Sequence, residues 1–334
     1  TKALSKEQNI KDTGFLPWAY PPMFLAVGWL AAHFPYFIAL GLYSIVGFAF
    51  YMLAIGKLAP RFKESLWIAA AFPGAFVNLF SGQNGFLTAG LLATGLFLID
   101  HLPIAAGMAF GALSYKPHFF ILIPLVLAVG KYWKVLFWTL LSAAAFAVLS
   151  LTVFGFEPWQ AFVEGMPATK AQVLEINSVR WLGILHSVFA AVRTFGGSLQ
   201  TAYAAQTLIS GCVVLALLWI WRRPTSIEVR GSALAAALLL ASPYSFVYDQ
   251  VMLAIPLALL GGKGFRDGFL PYEKTFLFAL WLLPFLVQDA GKYFALPLTP
   301  PMLAGLMALC WMRANEERPI FVQEKKMGHP PSRV

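Results

Sequence analysis

The stretch WKVLFWTLLSAAAFAVLSLTV, Trp133 to Val153, runs for 21 residues with Lys134 as its only charge. About 20 predominantly apolar residues carry an α-helix across the hydrocarbon core of a bilayer, so this segment is long enough to cross a membrane. The whole chain shares its character. Of 334 residues, 59% are hydrophobic, 16% aromatic and only 12% charged, with a mean hydropathy of +0.71. An ordinary soluble domain is about 25% charged, and a soluble fold could not hide this much apolar surface.

Working outward from residues 133–153, further apolar stretches lie at 18–34, 36–56, 65–80, 84–100, 103–115 and 118–130, then at 200–221, 231–243, 246–262, 274–288 and 298–312. The first opens on Trp18, Tyr20, Pro21 and Pro22, an interfacial helix start with aromatic anchors and early prolines, and is read as partial. The expectation is an all-α polytopic membrane protein, a bundle of about 11 transmembrane helices. It places a transmembrane domain over 18–313 and a cytoplasmic tail over 314–334. The pair of spans flanking Tyr115 to His118 reads as a broken or re-entrant hairpin, tolerated in lipid only where protein covers the freed backbone.

The net charge of +9 does not indicate nucleic acid, because no basic stripe studded with aromatics appears. Most basic residues sit in short connectors: Lys57, Arg61 and Lys63; Lys131 and Lys134; Arg222, Arg223 and Arg230; Lys263, Arg266 and Lys274; and the tail. Lys and Arg are retained on the cytoplasmic side during insertion, which places these connectors inside. Alternation then places Ser81 to Gly85, Tyr115 to His118, the loop 154–199, Ser242 to Asp249 and a turn at Gln288 to Lys292 on the outer face. The loop mixes Trp159, Phe162, Trp181, Leu182, Ile184 and Leu185 with charges, a composition for short interfacial amphipathic helices; a solvated linker is the competing reading. Cys212 and Cys310 lie inside apolar segments and suit neither a disulfide framework nor a metal site.

The groups that could carry chemistry fall on that outer face. An ionisable group at a helix end in lipid is expensive unless it faces protein or water, which singles out Asp249, beside Tyr248. These two are the catalytic candidates, although an aspartate capping a helix start would look the same. Ser242 and Tyr244 in the same polar stretch are candidate substrate-binding residues. Gln83 and Asn84, in Ser81-Gly82-Gln83-Asn84-Gly85, offer amides that both donate to and accept from sugar hydroxyls; a plain Asn-Gly turn competes. Tyr115, Lys116 and His118 form a second group, in which a cation amid apolar spans suits a lipid phosphate or pyrophosphate unless Lys116 merely snorkels to headgroups. Asn177 and Arg180 in the long loop join as candidate anion ligands. No zinc motif, P-loop, nucleophile elbow or dinucleotide fingerprint occurs in a believable context, so neither metal nor cofactor is expected.

The order of these motifs resembles the polytopic family 87 glycosyltransferases, which include polyprenyl-phosphate-mannose-dependent mannosyltransferases. The resemblance covers nearly the whole chain. It is carried by Trp18-Ala19-Tyr20-Pro21-Pro22, Gly82-Gln83-Asn84-Gly85 with Leu87, Ala105 and Gly107 leading to Tyr115-Lys116-Pro117, Asn177-Ser178, and Ser242-Pro243 through Tyr248-Asp249. It implies a C-type glycosyltransferase fold in a bacterial inner (plasma) membrane. A hexose, mannose first, would pass from a polyprenyl-phosphate-linked donor to a lipid or glycan acceptor on the outer face, with inversion. It also implies a first transmembrane helix, and in the first outer loop an acidic residue that acts as the base toward the acceptor, both ahead of the Tyr-Pro-Pro segment, which makes residues 1–17 the remnant of that loop. Actinobacterial members carry paired histidines where Tyr248 and Asp249 stand. A transporter or lipid-carrier flippase is the alternative, since broken helices and intramembrane charge also mark substrate pathways, but no internal repeat is found.

Overall fold

The computed structural model describes residues 18–176 and 184–326. Among them every regular element is helical, and the one extended pairing is an isolated antiparallel bridge between Leu185 and Phe246. A 3-10 turn, Pro22–Phe24, leads into α1 (Leu25–Ala31). Then come α2 (Tyr36–Leu58), α3 (Glu64–Ala70), α4 (Pro73–Ser81), α5 (Gly85–Leu98) and α6 (Pro103–Ala112), which closes in a 3-10 turn at Leu113–Tyr115. The short α7 (Pro117–Phe120) and α8 (Leu122–Val129) precede α9 (Trp133–Phe154) and α10 (Glu157–Lys170). A π-helical turn, Ala171–Ile176, follows α10. The second half holds α11 (Val188–Thr194), α12 (Leu199–Arg222), α13 (Ile227–Ala241), a 3-10 segment Val247–Leu253, α14 (Ala254–Asp267), α15 (Glu273–Phe294) and α16 (Thr299–Lys326).

Among the described residues three helices, α2, α9 and α12, are long and apolar enough to cross a membrane. They bury little of themselves. On α2 the side chains of Phe37 and Ile45 are 83% and 68% exposed, and apolar surface on that scale marks contact with something other than water. At the centre runs α13, whose residues from Gly231 to Leu240 are all buried, with alanines at 233, 235, 236 and 237. Side chains this small let α12, α14 and α16 pack closely around it. A similar seam joins α6 to α9: a Cβ on Gly107 would lie 2.4 Å from Trp138 Cβ, and one on Gly111 would lie 2.7 Å from the Thr139 carbonyl. This is the small-residue spacing that brings helices in lipid to backbone contact.

Several boundaries differ from the sequence expectation. The stretch 65–80 is two helices, because Pro73 holds Phe72 extended (ψ 123°) and α4 must start afresh. The stretch 246–262 begins as the 3-10 segment before α14. The expected turn at Gln288 to Lys292 is instead part of α15, which runs on to Phe294 and stops where Ala295 turns left-handed (φ 52°). α16 does not stop at 312 but continues to Lys326, since Arg313 and Glu317 are anchored by partners on other helices.

Those anchors define one end of the bundle. Arg313 Nε donates to Glu273 Oε1 (3.0 Å) and Lys263 Nζ to Glu317 Oε1 (2.8 Å). Glu317 also accepts from Ser226 N and Oγ, both at 2.7 Å, and Arg266 Nη2 donates to Glu228 (3.0 Å). Arg230 Nη1 reaches Tyr132 Oη across 3.3 Å. Basic connectors far apart in sequence therefore meet at this end. The polar stretches singled out above meet at the other.

Candidate functional site

Two prolines shape the site, and Pro117 makes the ledge on which Lys116 stands. The 3-10 turn Leu113–Tyr115 ends α6, and Pro117 starts α7, so Lys116 between them is pushed out of the helical region (φ −115°, ψ 81°). On the facing wall Pro243 ends α13 at Ser242 (ψ 128°), and the chain crosses a short turn before the 3-10 segment starts after Phe246. Asp249 lies in the first turn of that segment. Its Oδ2 accepts the Phe246 N–H (3.3 Å), and its Oδ1 accepts from Lys116 Nζ. The helix-start cap expected of Asp249 is therefore present, and the same carboxylate also meets Lys116.

The Lys116–Asp249 pair is sealed. Each side chain is 1% exposed, and Lys116 Nζ also lies 5.2 Å from the ring centre of Tyr248, 5.4 Å from that of Phe119 and 6.0 Å from that of Tyr115. The cation is ringed by aromatic faces that attract it. Snorkelling to headgroups is therefore excluded in this conformation. So is a freely presented Asp249 base, since both of its oxygens are already engaged.

A second layer of bonds fixes the ledge. Tyr115 Oη and Thr88 Oγ1 are 2.6 Å apart, and Thr88 Oγ1 donates to the Asn84 carbonyl (3.1 Å). Gly82, left-handed at φ 58°, ends α4. Asn78 Oδ1 then accepts the Gly85 N–H (2.8 Å). A Cβ on Gly85 would lie 2.5 Å from the Tyr248 carbonyl, so only glycine lets α5 begin this close to the segment bearing Asp249. Both the turn and the amides of this stretch are present: Asn84 is 3% exposed, and neither its Oδ1 nor Asn78 Nδ2 has a hydrogen-bond partner among the described residues. Gln83 is half-buried, with its N–H on the Asn78 carbonyl (3.3 Å).

The loop between α10 and α12 is stitched to the same place. His186 N donates to the Ser245 carbonyl (2.7 Å) and Val247 N to the Ile184 carbonyl (2.8 Å), flanking the Leu185–Phe246 bridge. Gln250 Nε2 donates to Thr299 Oγ1 (2.9 Å), which lies 3.3 Å from His186 Nδ1. Ser242 Oγ accepts the Tyr244 N–H (3.1 Å), and the half-buried Tyr244 ring is 6.0 Å from that of His118. In the turn, burial first and the nearby Glu175 charge second push the Tyr244 phenol above its ordinary pKa. The buried Ser245 Oγ, Gln250 Oε1 and His118 Nε2 have no partner among the described residues.

Of the sequence candidates, Asn84, Tyr115, Lys116, His118, Ser242, Tyr244, Tyr248 and Asp249 are brought together, with Gln83 at the margin. Asn177 and Arg180 lie outside the described residues. Sequence reading missed Asn78, Thr88, His186 and Thr299. Each sits within or beside an apolar stretch where a lone polar side chain is ordinary, and only its three-dimensional partner gives it meaning.

The arrangement holds a buried cation, a carboxylate, phenols and unpaired amides at one end of an apolar bundle, a set suited to an anion and to hydroxyl groups. Comparison with known proteins adds one finding. The profile of Glycosyltransferase family 87 matches residues 18–243, a stretch that includes Asn84, Tyr115, Lys116, His118 and Ser242. No curated protein and no solved structure matches the chain at a significant level.

Proposed function

The chain belongs to glycosyltransferase family 87, and from that premise we propose that it transfers a hexose, mannose first, from a polyprenyl-phosphate donor to a lipid or glycan acceptor on the outer face of a bacterial inner membrane. It is a membrane glycosyltransferase, with a sugar donor and an acceptor. The finer points rest on physical argument. The observation that carries them is the meeting of Lys116 with Asp249 at the end of the bundle where the Asn84 and Gln250 amide oxygens, without partners among the described residues, also lie.

Direct transfer from a polyprenyl phosphate needs three things: groups for the sugar hydroxyls, a cation for the departing phosphate and a base for the acceptor. Asn84, Gln83 and Gln250 supply the first, with Ser242, Tyr244 and Tyr248 on the adjoining wall. Lys116 supplies the second. In this reading Asp249 is a positioning residue: it holds the ammonium in place until an anionic donor competes for it. The lipid character of the donor is supported by the apolar helices that surround the site. Multiple crossings are supported by α2, α9 and α12, each long and apolar enough to span a bilayer, and a C-type fold by the family match. The basic residues at the far end support an outward-facing site.

The test uses membranes from cells with and without the intact gene. They receive polyprenyl-phosphate mannose, polyprenyl-phosphate glucose or a nucleotide sugar, and lipid-linked glycans are read by mass spectrometry. Gene-dependent product is expected from a polyprenyl-phosphate sugar. Product from the nucleotide sugar alone would sink the proposal.

A further inference from the structure

Charge is unevenly matched at the basic end of the bundle. Lys263, Arg266 and Arg313 each meet a carboxylate. Lys131, Lys134, Arg222 and Arg223 form no ion pair among the described residues. These four share one corner. Lys131 and Lys134 flank Tyr132, whose ring centre is 6.1 Å from that of Trp221, and Arg222 and Arg223 directly follow Trp221. Arg230 of α13 ties the corner together: its Nη1 donates to Tyr132 Oη (3.3 Å), its Nη2 donates to the Arg223 carbonyl, and its own carbonyl accepts from Trp221 Nε1 (3.1 Å). Two carboxylates approach. Asp100 stands beside the Tyr132 phenol, and Glu228 is taken by Arg266, so the corner keeps a large excess of positive charge.

Within it Arg223 is held in a fixed plane. Its Cζ lies 3.6 Å from the centre of the Trp219 ring, and Trp219 stacks on Trp311 of α16 with centres 3.6 Å and planes 7° apart. A guanidinium laid on an indole covers one face and leaves the N–H donors at its edges to point outward. Those donors make no hydrogen bond among the described residues. Two parallel N–H groups in a held plane match two oxygens of a phosphate, and stacking reduces the freedom lost when an anion docks.

The surroundings suit a lipid better than a soluble anion. Leu208, Leu215 and Arg222 recur every seven residues and so share one face of α12, and the two leucines are 67% and 71% exposed. From Arg222 back to Leu208 that stripe is about 21 Å long at about 1.5 Å per residue, enough to cross one leaflet of a hydrocarbon core about 30 Å thick. Trp133 and Trp311, exposed beside the charges, are the residues that settle at headgroup level. A soluble anion would use the cations and leave both the stripe and the tryptophans idle.

We infer that this corner binds an anionic phospholipid of the adjoining leaflet. Its phosphate takes the Arg223 fork, with Arg222, Lys131 and Lys134 around it, and an acyl chain lies along Leu215 and Leu208. Basic pockets between membrane helices hold anionic headgroups by this physics. The corner lies at the opposite end of the bundle from Lys116 and Asp249, and the inference does not depend on the transfer reaction.

The experiment uses the full-length protein, purified in detergent and freed of lipid, with bound lipid counted by native mass spectrometry. Dioleoyl phosphatidylglycerol is expected to bind at least about fivefold more tightly than dioleoyl phosphatidylcholine, which has the same chains; about fivefold is what one basic residue contributes at an anionic surface. R223Q is expected to weaken phosphatidylglycerol binding by about fivefold or more. R223K, which keeps the charge and loses the stacked fork, should weaken it by more than about threefold. K57Q, exposed at the end of α2, should change it by less than about twofold. Equal binding of the two lipids overturns the inference, as does a smaller loss in R223Q or R223K, or a loss in K57Q as large as that in R223Q. Inorganic phosphate that displaces phosphatidylglycerol at equal concentration also overturns it, by making the corner a soluble-anion site. Should R223Q not fold, the exposed pair R222Q/K131Q takes its place, with the same loss expected and its absence overturning the inference. Transfer activity enters none of these readings, so either conclusion can fail while the other stands.

Discussion

Lys116 and Asp249 stand 133 residues apart in the chain and meet as an ion pair with 1% of either side chain exposed. Neither is held by a helix interior. Each occupies an irregular segment that proline creates, one between Tyr115 and Pro117, the other after Ser242-Pro243. A buried pair is weak evidence for stability as such, because desolvation offsets much of the attraction. Its retention amid apolar helices is better explained by work on a charged substrate.

Breaking the pair separates these roles. Removing one partner leaves an uncompensated buried charge, typically costing about 3–5 kcal/mol, so K116M is expected to lower thermal stability in detergent and to abolish transfer. D249N leaves the ammonium stranded and should do the same. The double variant K116M/D249L, with both charges gone, should recover most of the folded yield and none of the turnover. Recovery of transfer in the double variant, measured beside size-exclusion thermostability, would show that the pair is architectural only.

Gly85 tests how tightly the centre is set. With Asn78 Oδ1 and the Tyr248 carbonyl each 2.5 Å from where a Cβ would lie, G85A must push the start of α5 away from the Asp249 segment. Overpacking of this kind typically costs about 1–3 kcal/mol. Turnover should fall by about tenfold or more, while G28A, in open space on α1, should leave it unchanged. Equal turnover in the two variants would mean that the 3-10 segment tolerates displacement.

At the opposite end, acid should weaken the fold by a defined route. Arg266 first, through bonds of 2.8 and 3.1 Å, and Lys263 next, at 2.9 Å, hold the Asp267 carboxyl at about 2, below its ordinary 3.8. A folded pKa below the unfolded one contributes stability that is fully present above about pH 4 and is lost as pH falls through about 2. The melting temperature should drop over that window, and D267N should flatten part of the drop. A D267N curve parallel to wild type throughout would assign the acid sensitivity elsewhere.

Much of the bundle could be read from the chain because hydropathy and length are local properties. The apolar run at 133–153 and those at 36–56 and 200–221 correspond to α9, α2 and α12, each within a few residues. Ends were harder. Nothing before Phe72 announces that Pro73 will restart the helix, and α16 passes its apolar limit only because Glu317 finds Ser226 and Lys263. The site was legible as types but not as partners: Lys116 and Asp249 each stood out as a charge in an apolar setting, yet their contact depends on how α7 and the 3-10 segment approach.

Sidedness is the remaining physical commitment, and it can be measured. The bonds of Tyr115 to Asn84, Lys116 to Asp249 and Thr299 to His186 place their connectors at one end, and those of Arg230 to Tyr132, Arg266 to Glu228 and Lys263 to Glu317 place theirs at the other. Retention of Lys and Arg on the cytoplasmic side then predicts which end faces out. In a background with Cys212, exposed on α12, changed to Ser, two single variants report on the two ends: F195C, at a position 70% exposed beside α11, and K134C at the start of α9. A membrane-impermeant maleimide should label F195C in intact cells, and K134C only after the membrane is opened. Labelling of both from the same side would break the link between the basic end and the cytoplasm, and would turn the proposed reaction centre away from the outer leaflet.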